Sequence, residues 1–453
     1  MTTTNMPAWP AVPLAFGLEI ESTDGAYFTL ASGERILDAA GQACVANIGY
    51  GRQEVADAIA EATAKCTHVL PPFATDNRLQ LVETLKTQWL PPELSRIHFV
   101  NSGSEAADTA IKLARQFHFH SGNTSKWKVI GREFSYHGVT LGGLSVSGHS
   151  DRRLGMDPLL NDFPLAPACY PYRCSECASS TDCQLRCVDA VEEIILREGP
   201  DTISAFMAEP VVGTSGGALV PHDDYWPRIQ ELCKKYNILI ILDEVITGFG
   251  RTGKRFALEH WDIKPDILTS AKGMSGGYAP IGLVATTERV VQPLAAKGDI
   301  IMFHTFGGHN GACAASLKVL EILKRENLLE RAVTTGAYLG DRLGELRDHP
   351  YVGDVRGIGM LWAVEIVKDK QTKENWPKSA NVTFDVVYEG MSRGVLYYFG
   401  GTGDNGDIIC FGPPFTVTHE EVDVMVDTLR VTIDAVIERV VAAAAGNELG
   451  VND

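Results

Sequence analysis

Between about residue 95 and residue 290, the chain alternates short apolar runs with segments in which apolar residues recur at helical spacing. The short runs read RIHFV, WKVIG, ISAFMA, ILIIL, DILTSA and IGLVATT, and most of them are apolar on both faces of a strand. Such runs are typical of a parallel sheet that helices cover on both sides. The alternation therefore predicts a three-layer α/β domain with a mostly parallel sheet.

Two segments between these strands carry the apolar stripe of a helix that packs on a sheet. In SEAADTAIKLARQFH the stripe contains Ala110, Leu113, Ala114 and Phe117. In DDYWPRIQELCKKYN the corresponding residues are Trp226, Ile229, Cys233 and Tyr236. Both segments are therefore expected to be helices on the faces of the sheet.

The pattern changes at about residue 311, where two long helical segments precede a few strands, including MLWAVEIV and DIICFG. The last helix begins at THEE, where Thr418 and Glu421 have the spacing of a capping box ahead of an apolar-periodic run to about Ala444. This arrangement predicts a smaller α+β domain.

The charge of the chain argues against polyanionic partners. Forty Lys and Arg residues against 57 Asp and Glu residues give a formal net charge of -17, which repels nucleic acid and anionic lipid. No basic residue precedes the first apolar stretch, and no run has the length of a membrane span. Ten cysteines, many of them among apolar neighbours, fit a reducing compartment. We therefore expect a cytoplasmic protein that binds neither nucleic acid nor membrane.

Five of the cysteines lie close together, between Cys169 and Cys187. Cys174, Cys177, Cys183 and Cys187 have spacings that can hold zinc. The same polar, turn-rich segment is also compatible with a simple surface excursion. Both interpretations stay open, and no metal ligand is included among the predicted site residues.

Three ionisable residues follow successive predicted strands. Glu209 comes after ISAFMA, Asp243 after ILIIL, and Lys272 after DILTSA. Because ligands bind at the carboxyl ends of the strands in such sheets, these side chains are expected to converge on one rim. A lysine held in a largely apolar cleft loses its proton more easily and can attack a carbonyl.

A fourth feature predicts a phosphate site. In FVNSGSEAADTAIKLA, a strand passes through Ser102, Gly103 and Ser104 directly into a helix, whose first free N–H groups can bind an anion. An ordinary helix N-cap is the alternative for the serines. Tyr136 in FSYHGVT is placed to stack on a flat ring or to join the core. Phosphate site, stacking ring, carboxylate and lysine together indicate pyridoxal 5′-phosphate (PLP).

The order of the motifs NSGSEA, YHG, AEP, LDEVITGFGRTG, TSAKG and HTFGGHN resembles that of the class III aminotransferases, a fold type I family of PLP enzymes. The family includes ornithine, γ-aminobutyrate and ω-amino acid:pyruvate aminotransferases, and the resemblance covers nearly the whole chain. It implies a PLP-binding large domain at residues 61–310, a small domain at 311–453, and an N-terminal segment, 1–60, that packs with the small domain.

The resemblance also implies a role for each site residue. Lys272 matches the catalytic lysine that binds the cofactor covalently, and Asp243 the carboxylate paired with the pyridine nitrogen. The other expected cofactor contacts are Ser102, Gly103 and Ser104 at the phosphate, Tyr136 and Val245 on the two ring faces, His137 and Glu209 nearby, and Thr305 from the neighbouring subunit. A homodimer or a dimer of dimers is implied, as are an amine donor and a keto acid acceptor, with pyruvate expected.

Two departures from the family affect the expected substrate. Many relatives pair the counterpart of Glu209 with an arginine that binds substrate carboxylates, but YYFGGTGDNGDIICFGPP contains no arginine. Glu209 is therefore expected to be unpaired and to favour an amine or an ω-amino compound. Cys44 is expected to stand where amine:pyruvate relatives carry a tryptophan, which would widen the pocket. A decarboxylating aminotransferase, an aminomutase and a non-catalytic PLP-binding protein remain alternatives.

Overall fold

A computed structural model of the chain describes residues 18–174, 183–298, 302–403 and 405–449, with side chains of the last helix described as far as residue 443. The strands are β1 (Ile20–Asp24), β2 (Tyr27–Leu30), β3 (Arg35–Asp38), β4 (Arg96–Val100), β5 (Lys128–Glu133), β6 (Ser147–Gly148), β7 (Leu165–Ala166), β8 (Ile203–Ala208), β9 (Leu239–Asp243), β10 (Ile267–Ser270), β11 (Gly282–Thr286), β12 (Val352–Ile358), β13 (Leu361–Ile366), β14 (Val395–Leu396), β15 (Tyr398–Gly400) and β16 (Asp407–Phe411).

The helical segments are α1 (Gly41–Cys44), α2 (Gln53–Lys65), α3 (Asp76–Thr84), α4 (Gly103–His120), α5 (Leu141–Val146), α6 (Ser150–Arg153), α7 (Arg186–Glu198), α8 (Tyr225–Lys235), α9 (Glu288–Ala295), α10 (Asn310–Arg325), α11 (Leu328–Gly344), α12 (Val382–Ser392) and α13 (His419–Leu449). The segment α1 is a single turn with non-helical dihedral angles.

The largest sheet has the strand order β4-β11-β10-β9-β8-β5-β6, with β7 paired to β5. Strands β5 to β10 run parallel to one another, while β11 is antiparallel to both β10 and β4. The predicted mostly parallel sheet is therefore confirmed, and all six predicted strand runs lie in it.

Strand β9 shows why the central runs are apolar on both faces. Leu239 and Ile241 belong to the apolar cluster that includes the buried face of α4. Ile240 and Leu242 belong to the other cluster, which includes Trp226 of α8. Alternate residues of one strand thus pack against helices on opposite sides of the sheet, which produces the three predicted layers.

Two smaller sheets accompany the large one. Strands β1, β2 and β3 form an antiparallel meander that continues in parallel into β14, so the N-terminal strands share a sheet with residues 395–396. Strands β12, β13, β16 and β15 form an antiparallel sheet in that order. Helix α13 begins with the predicted capping box, in which Thr418 N donates to Glu421 Oε2 at 2.8 Å and Glu421 N to Thr418 Oγ1 at 3.2 Å.

Among the described helices, none has the length and apolar character needed to cross a membrane. Cys177 lies outside the described residues, whereas Cys174, Cys183 and Cys187 lie within them. The described part of the chain contains no group of three or more His, Cys, Asp or Glu side chains that could hold a metal ion. The zinc interpretation of the four cysteines stays a hypothesis.

Candidate active site

The parallel strands bring the predicted residues to one rim of the large sheet. Glu209 follows β8, Asp243 ends β9, and Lys272 follows β10 by two residues. Strand β4, which runs in the same direction as β10, leads into Ser102 and Gly103. The rim is therefore formed by residues from four strands, as their positions in the sequence predicted.

Lys272 is half-buried on the wall of a cavity of about 990 Å³. This volume is near the upper end of the ~300–1,000 Å³ typical of small-molecule sites. Burial lowers the pKa of Lys272, although the carboxylates of Asp243 and Glu209 act in the opposite direction. The lysine also has a positive φ of 22°, an unfavourable conformation for a residue with a side chain. A desolvated amine of this kind is suited to covalent chemistry.

Asp243 is buried and held in place by two hydrogen bonds. Its Oδ2 accepts from His137 Nδ1 at 2.7 Å, and its Oδ1 accepts from Val245 N at 3.0 Å. Burial disfavours protonation of His137, but the Glu209 carboxylate and the hydrogen bond to Asp243 outweigh it and raise the pKa of His137. The histidine therefore orients the carboxylate through a short, charge-assisted hydrogen bond.

Glu209 has a basic partner, so the expectation of an unpaired carboxylate in the pocket is wrong. Arg132, from the end of β5, places Nη2 3.6 Å from Glu209 Oε2 and donates to the Glu209 carbonyl at 2.7 Å. Glu209 Oε1 accepts from Tyr136 N at 3.2 Å, and Oε2 lies 3.8 Å from His137 Nε2. Both members of the ion pair are buried, so the pair does not present a free negative charge to substrate.

The predicted phosphate loop lies at the N-terminus of α4. Ser102 is the N-cap and accepts from Glu105 N at 3.2 Å, and Ser104 Oγ accepts from Val139 N at 3.1 Å. Ser102 therefore does serve as an ordinary cap, yet each hydroxyl keeps a proton that can be donated to an anion. A Cβ on Gly103 would lie 2.9 Å from Val245 Cγ1, so this close approach of the two segments requires glycine.

Tyr136 lines the same cavity as Lys272. Its ring contacts His149 edge-on, with the ring centroids 5.9 Å apart, and burial raises the pKa of its phenol. Val245, which was expected on the opposite ring face, is half-buried beside Gly103. Its neighbour Ile246 lines the cavity.

Ala43, rather than Cys44, is the small residue that faces the cavity. Gln42, Ala43 and Cys44 all have positive φ values of 45°, 64° and 63°, so α1 is a left-handed turn. Cys44 is buried, and its Sγ fills the position that a Cβ on Gly412 would need, 2.3 Å away. The turn thus directs Ala43 toward the cavity, and the expected correspondence of Cys44 to a tryptophan of the relatives stays a prediction.

Thr305 lies apart from these residues. It is exposed in the loop before α10 and is not among the residues that line the cavity of its own chain. Its expected contact with the cofactor of a second subunit stays a prediction.

The residues at the rim fit PLP. The helix N-terminus at Gly103 provides an anion site, the buried Asp243 can accept from a protonated ring nitrogen, and Lys272 offers an amine on the cavity wall. Tyr136 provides an aromatic face in the same cavity as the amine. The phosphate, the ring nitrogen, the ring face and the aldehyde of the cofactor thus each have a complementary group in this chain.

Two arginines near the site were missed by sequence reasoning. Arg132 partners Glu209, and Arg152 of α6 lines the cavity with its guanidinium 4.9 Å from the centre of the Tyr136 ring. The sequence did contain a signal for Arg132, because this residue directly follows the apolar run KVIG. A charged side chain buried at the end of such a strand needs a partner of opposite charge. Arg152 gave no such signal, because SDRRLG reads as an ordinary surface segment.

Comparison with known proteins agrees with this geometry. The family profile described as Aminotransferase class-III matches residues 11–433. A taurine–pyruvate aminotransferase from Rhodobacter capsulatus is 37% identical over 428 residues, which make up 91% of this chain and 89% of that protein.

Two solved structures are similar over nearly their full length. An (S)-enantioselective omega-transaminase from Thermomicrobium roseum is 36% identical, with a TM-score of 0.90 and coverage of 95% of this chain and 96% of that one. An amine transaminase from an uncultivated Pseudomonas species, in its PLP-bound (internal aldimine) form, is 32% identical, with a TM-score of 0.89 and coverage of 96% and 99%. The chain therefore belongs to the class III aminotransferases, which are PLP-dependent enzymes of fold type I.

Proposed function

We propose that the chain moves an amino group from an amine or ω-amino compound to a keto acid, with pyruvate as the acceptor. The observation that carries the proposal is the Lys272 amine on the wall of a large cavity, close enough to the buried Asp243 carboxylate for the two charges to interact. The similarity to a taurine–pyruvate aminotransferase supports pyruvate as acceptor and adds taurine to the candidate donors.

Lys272 is proposed as the covalent anchor and as the proton carrier. PLP, when bound, supplies an electron sink for the bond that is broken at the substrate carbon. The donor amine would first displace Nζ of Lys272 from the cofactor. Because burial lowers the pKa of Lys272, a larger fraction of the released amine is neutral near pH 7 and can take a proton from that carbon. The same amine can return the proton without leaving the site, since it is held on the cavity wall.

Asp243 is proposed to hold the cofactor's ring nitrogen through a charge-assisted hydrogen bond. His137 fixes the orientation of this carboxylate, while the pair of Glu209 and Arg132 lies behind both and balances the buried charges. Removal of the Asp243 charge should therefore affect turnover far more than it affects the fold.

The other contacts follow from positions at the rim. Ser102, Gly103 and Ser104 are proposed to bind the phosphate, with Tyr136 and Val245 on the two faces of the ring. We further propose a homodimer or a dimer of dimers, in which Thr305 contacts the phosphate in the partner's site.

The amine or ω-amino donor is supported by two features. No arginine occurs between Tyr397 and Pro414, where many relatives carry the one that binds substrate carboxylates. The cavity wall at Ala43 is small, which leaves room for a bulky donor. The Glu209 carboxylate does not favour a cationic donor, because Arg132 neutralises it.

A donor panel with pyruvate tests the proposal. Purified holoenzyme is incubated with pyruvate and, in turn, 1,4-diaminobutane, β-alanine, taurine, a simple amine and glutamate, and alanine formation is measured. We expect the average rate of alanine formation with the first four donors to exceed the rate with glutamate. The Lys272→Ala variant should form no alanine with any of the five donors. Preference for glutamate would contradict the donor class. Release of CO₂ would indicate a decarboxylating aminotransferase, and an isomeric amine product an aminomutase.

A further inference from the structure

One wall of the cavity is formed by the short helix α6 and carries an arginine that the proposed chemistry does not yet use. Arg152 lines the cavity together with Tyr136 and Lys272. Its Cζ lies 4.9 Å from the centre of the Tyr136 ring. A guanidinium packed on an aromatic ring keeps its edge N–H groups available for an anion, because the ring contacts only the flat face.

The neighbouring arginine is used differently. Arg153 Nη1 donates to the carbonyls of Ser145 at 3.3 Å and Ser147 at 3.1 Å, and its Nε lies 3.9 Å from Asp157 Oδ1. Arg152 has no carboxylate within ion-pair distance in the described part of the chain. Arg153 thus stabilises the local fold, while Arg152 is exposed at the cavity and forms no ion pair with a described residue.

The nearest acidic residue in sequence does not neutralise Arg152. Asp151 Oδ2 accepts from Gly403 N at 2.8 Å, on a segment that also lines the cavity. His149 Nδ1 lies 2.8 Å from Thr402 Oγ1, and Ser150 Oγ lies 3.3 Å from the same hydroxyl. These contacts join α6 to residues 402–403, so the backbone that carries Arg152 is fixed beside the cavity.

The histidine next to α6 does not compete for an anion. Burial, assisted by the positive charge of Arg152, lowers the pKa of His149 to about 4, so its ring is neutral near pH 7. Among the described residues lining the cavity, the cations are Lys272, Lys378 and Arg152, and Lys272 is required for covalent chemistry. Lys378 presents a single point charge, whereas the planar guanidinium can form two parallel hydrogen bonds to a carboxylate.

We propose that Arg152 binds the carboxylate of the keto acid acceptor, and so takes the place of the arginine that is missing between Tyr397 and Pro414. The inference rests on the proposed function, because it assigns the acceptor's anchor in the same cavity. Hydrogen bonds to a charged group contribute about 1.5–3 kcal/mol, which corresponds to a roughly 10- to 150-fold change in affinity. Arg152 is a specificity residue in this account, and Lys272 carries out the chemistry.

The test compares Arg152→Gln, Arg152→Lys and Lys378→Met as holoenzymes. Arg152→Gln should raise the KM for pyruvate at least about tenfold while kcat changes less than about threefold, and Arg152→Lys should lie between it and the native enzyme. Lys378→Met should change the KM less than about twofold. Calorimetric titration with propionate, an unreactive carboxylate, should show the same ranking and a weaker salt dependence in Arg152→Gln.

The control is a single-turnover reaction with 2-aminobutane, which is monitored through the absorbance of the cofactor. It shows whether each variant is folded and loaded with cofactor. Its rate should be the same in Arg152→Gln and the native enzyme, because this donor carries no anionic group. An unchanged KM for pyruvate in Arg152→Gln, or a larger effect in Lys378→Met, would overturn the assignment. If the native enzyme reacted with no amine at all, the proposed function would fail instead, and the propionate titration would still test Arg152.

Discussion

The buried pair of Arg132 and Glu209 gives a sharp prediction about stability. The two side chains are 2% and 7% exposed, with Arg132 Nη2 3.6 Å from Glu209 Oε2. At this distance, and with an effective dielectric constant of about 20, their attraction is about 5 kcal/mol, which desolvation largely offsets. Removing only one partner of such a pair costs about 3–5 kcal/mol, because the other charge stays buried without compensation.

Arg132→Met should therefore lower the free energy of unfolding by about 3 kcal/mol, at the lower end of that range, because His137 still lies 3.8 Å from Glu209. Glu209→Gln should cost less, since Arg132 keeps its hydrogen bond to the Glu209 carbonyl. The double variant should be no less stable than Arg132→Met alone, which means a coupling free energy at least as large as the cost of Glu209→Gln by itself.

Urea denaturation of the holoenzymes, followed by tryptophan fluorescence, measures these differences. The matched control is Lys128→Met on the same strand, because Lys128 pairs with Glu198 at 2.7 Å but both side chains are about one-fifth exposed. This pair should contribute less than about 1 kcal/mol. Additive effects of Arg132→Met and Glu209→Gln, or a change in donor preference as the main effect of Glu209→Gln, would refute the assignment of the pair as a structural one.

Three further changes test other parts of the site. Ala43→Trp should lower kcat/KM for a bulky amine at least tenfold relative to a small one, because residue 43 faces the cavity, and equal losses for both donors would contradict this. Gly103→Ala should weaken PLP binding about tenfold, since its Cβ would lie 2.9 Å from Val245 Cγ1, whereas Gly344→Ala, which meets only the end of a flexible arginine, should not. Burial lowers the pKa of His118 to about 4, so its unfolded form takes up a proton first as the pH falls. The free energy of unfolding should therefore decrease between about pH 6.5 and pH 4, and His118→Gln should flatten that decrease in denaturation curves measured across this range.

The sheet and the rim could be predicted because both follow from local sequence. A strand buried on two faces is apolar throughout, as in ILIIL, and the residue after each parallel strand must lie at the same edge. Asp243 and Lys272 were found in this way. The capping box at Thr418 is equally local, since its two hydrogen bonds connect residues three apart.

The partners of these residues depend on contacts between distant segments. Arg132 meets Glu209 only when β5 pairs with β8. Ala43 faces the cavity because it lies in a left-handed turn. The positive φ values of this turn are unusual for non-glycine residues, so the sequence did not indicate that Ala43 would line the cavity. Arg152 is held at the cavity by hydrogen bonds between α6 and residues 402–403, which no periodic pattern reveals. The domain boundaries at residues 60 and 310 stay predictions.

The central claim is that the amine of Lys272 carries the cofactor. The direct measurement is mass spectrometry of peptides from holoenzyme treated with borohydride, with Lys272→Ala treated in parallel. We expect one pyridoxyl adduct, on the peptide that contains Lys272, and none in the variant. An unmodified Lys272, or an adduct on another lysine at comparable yield, would contradict the account.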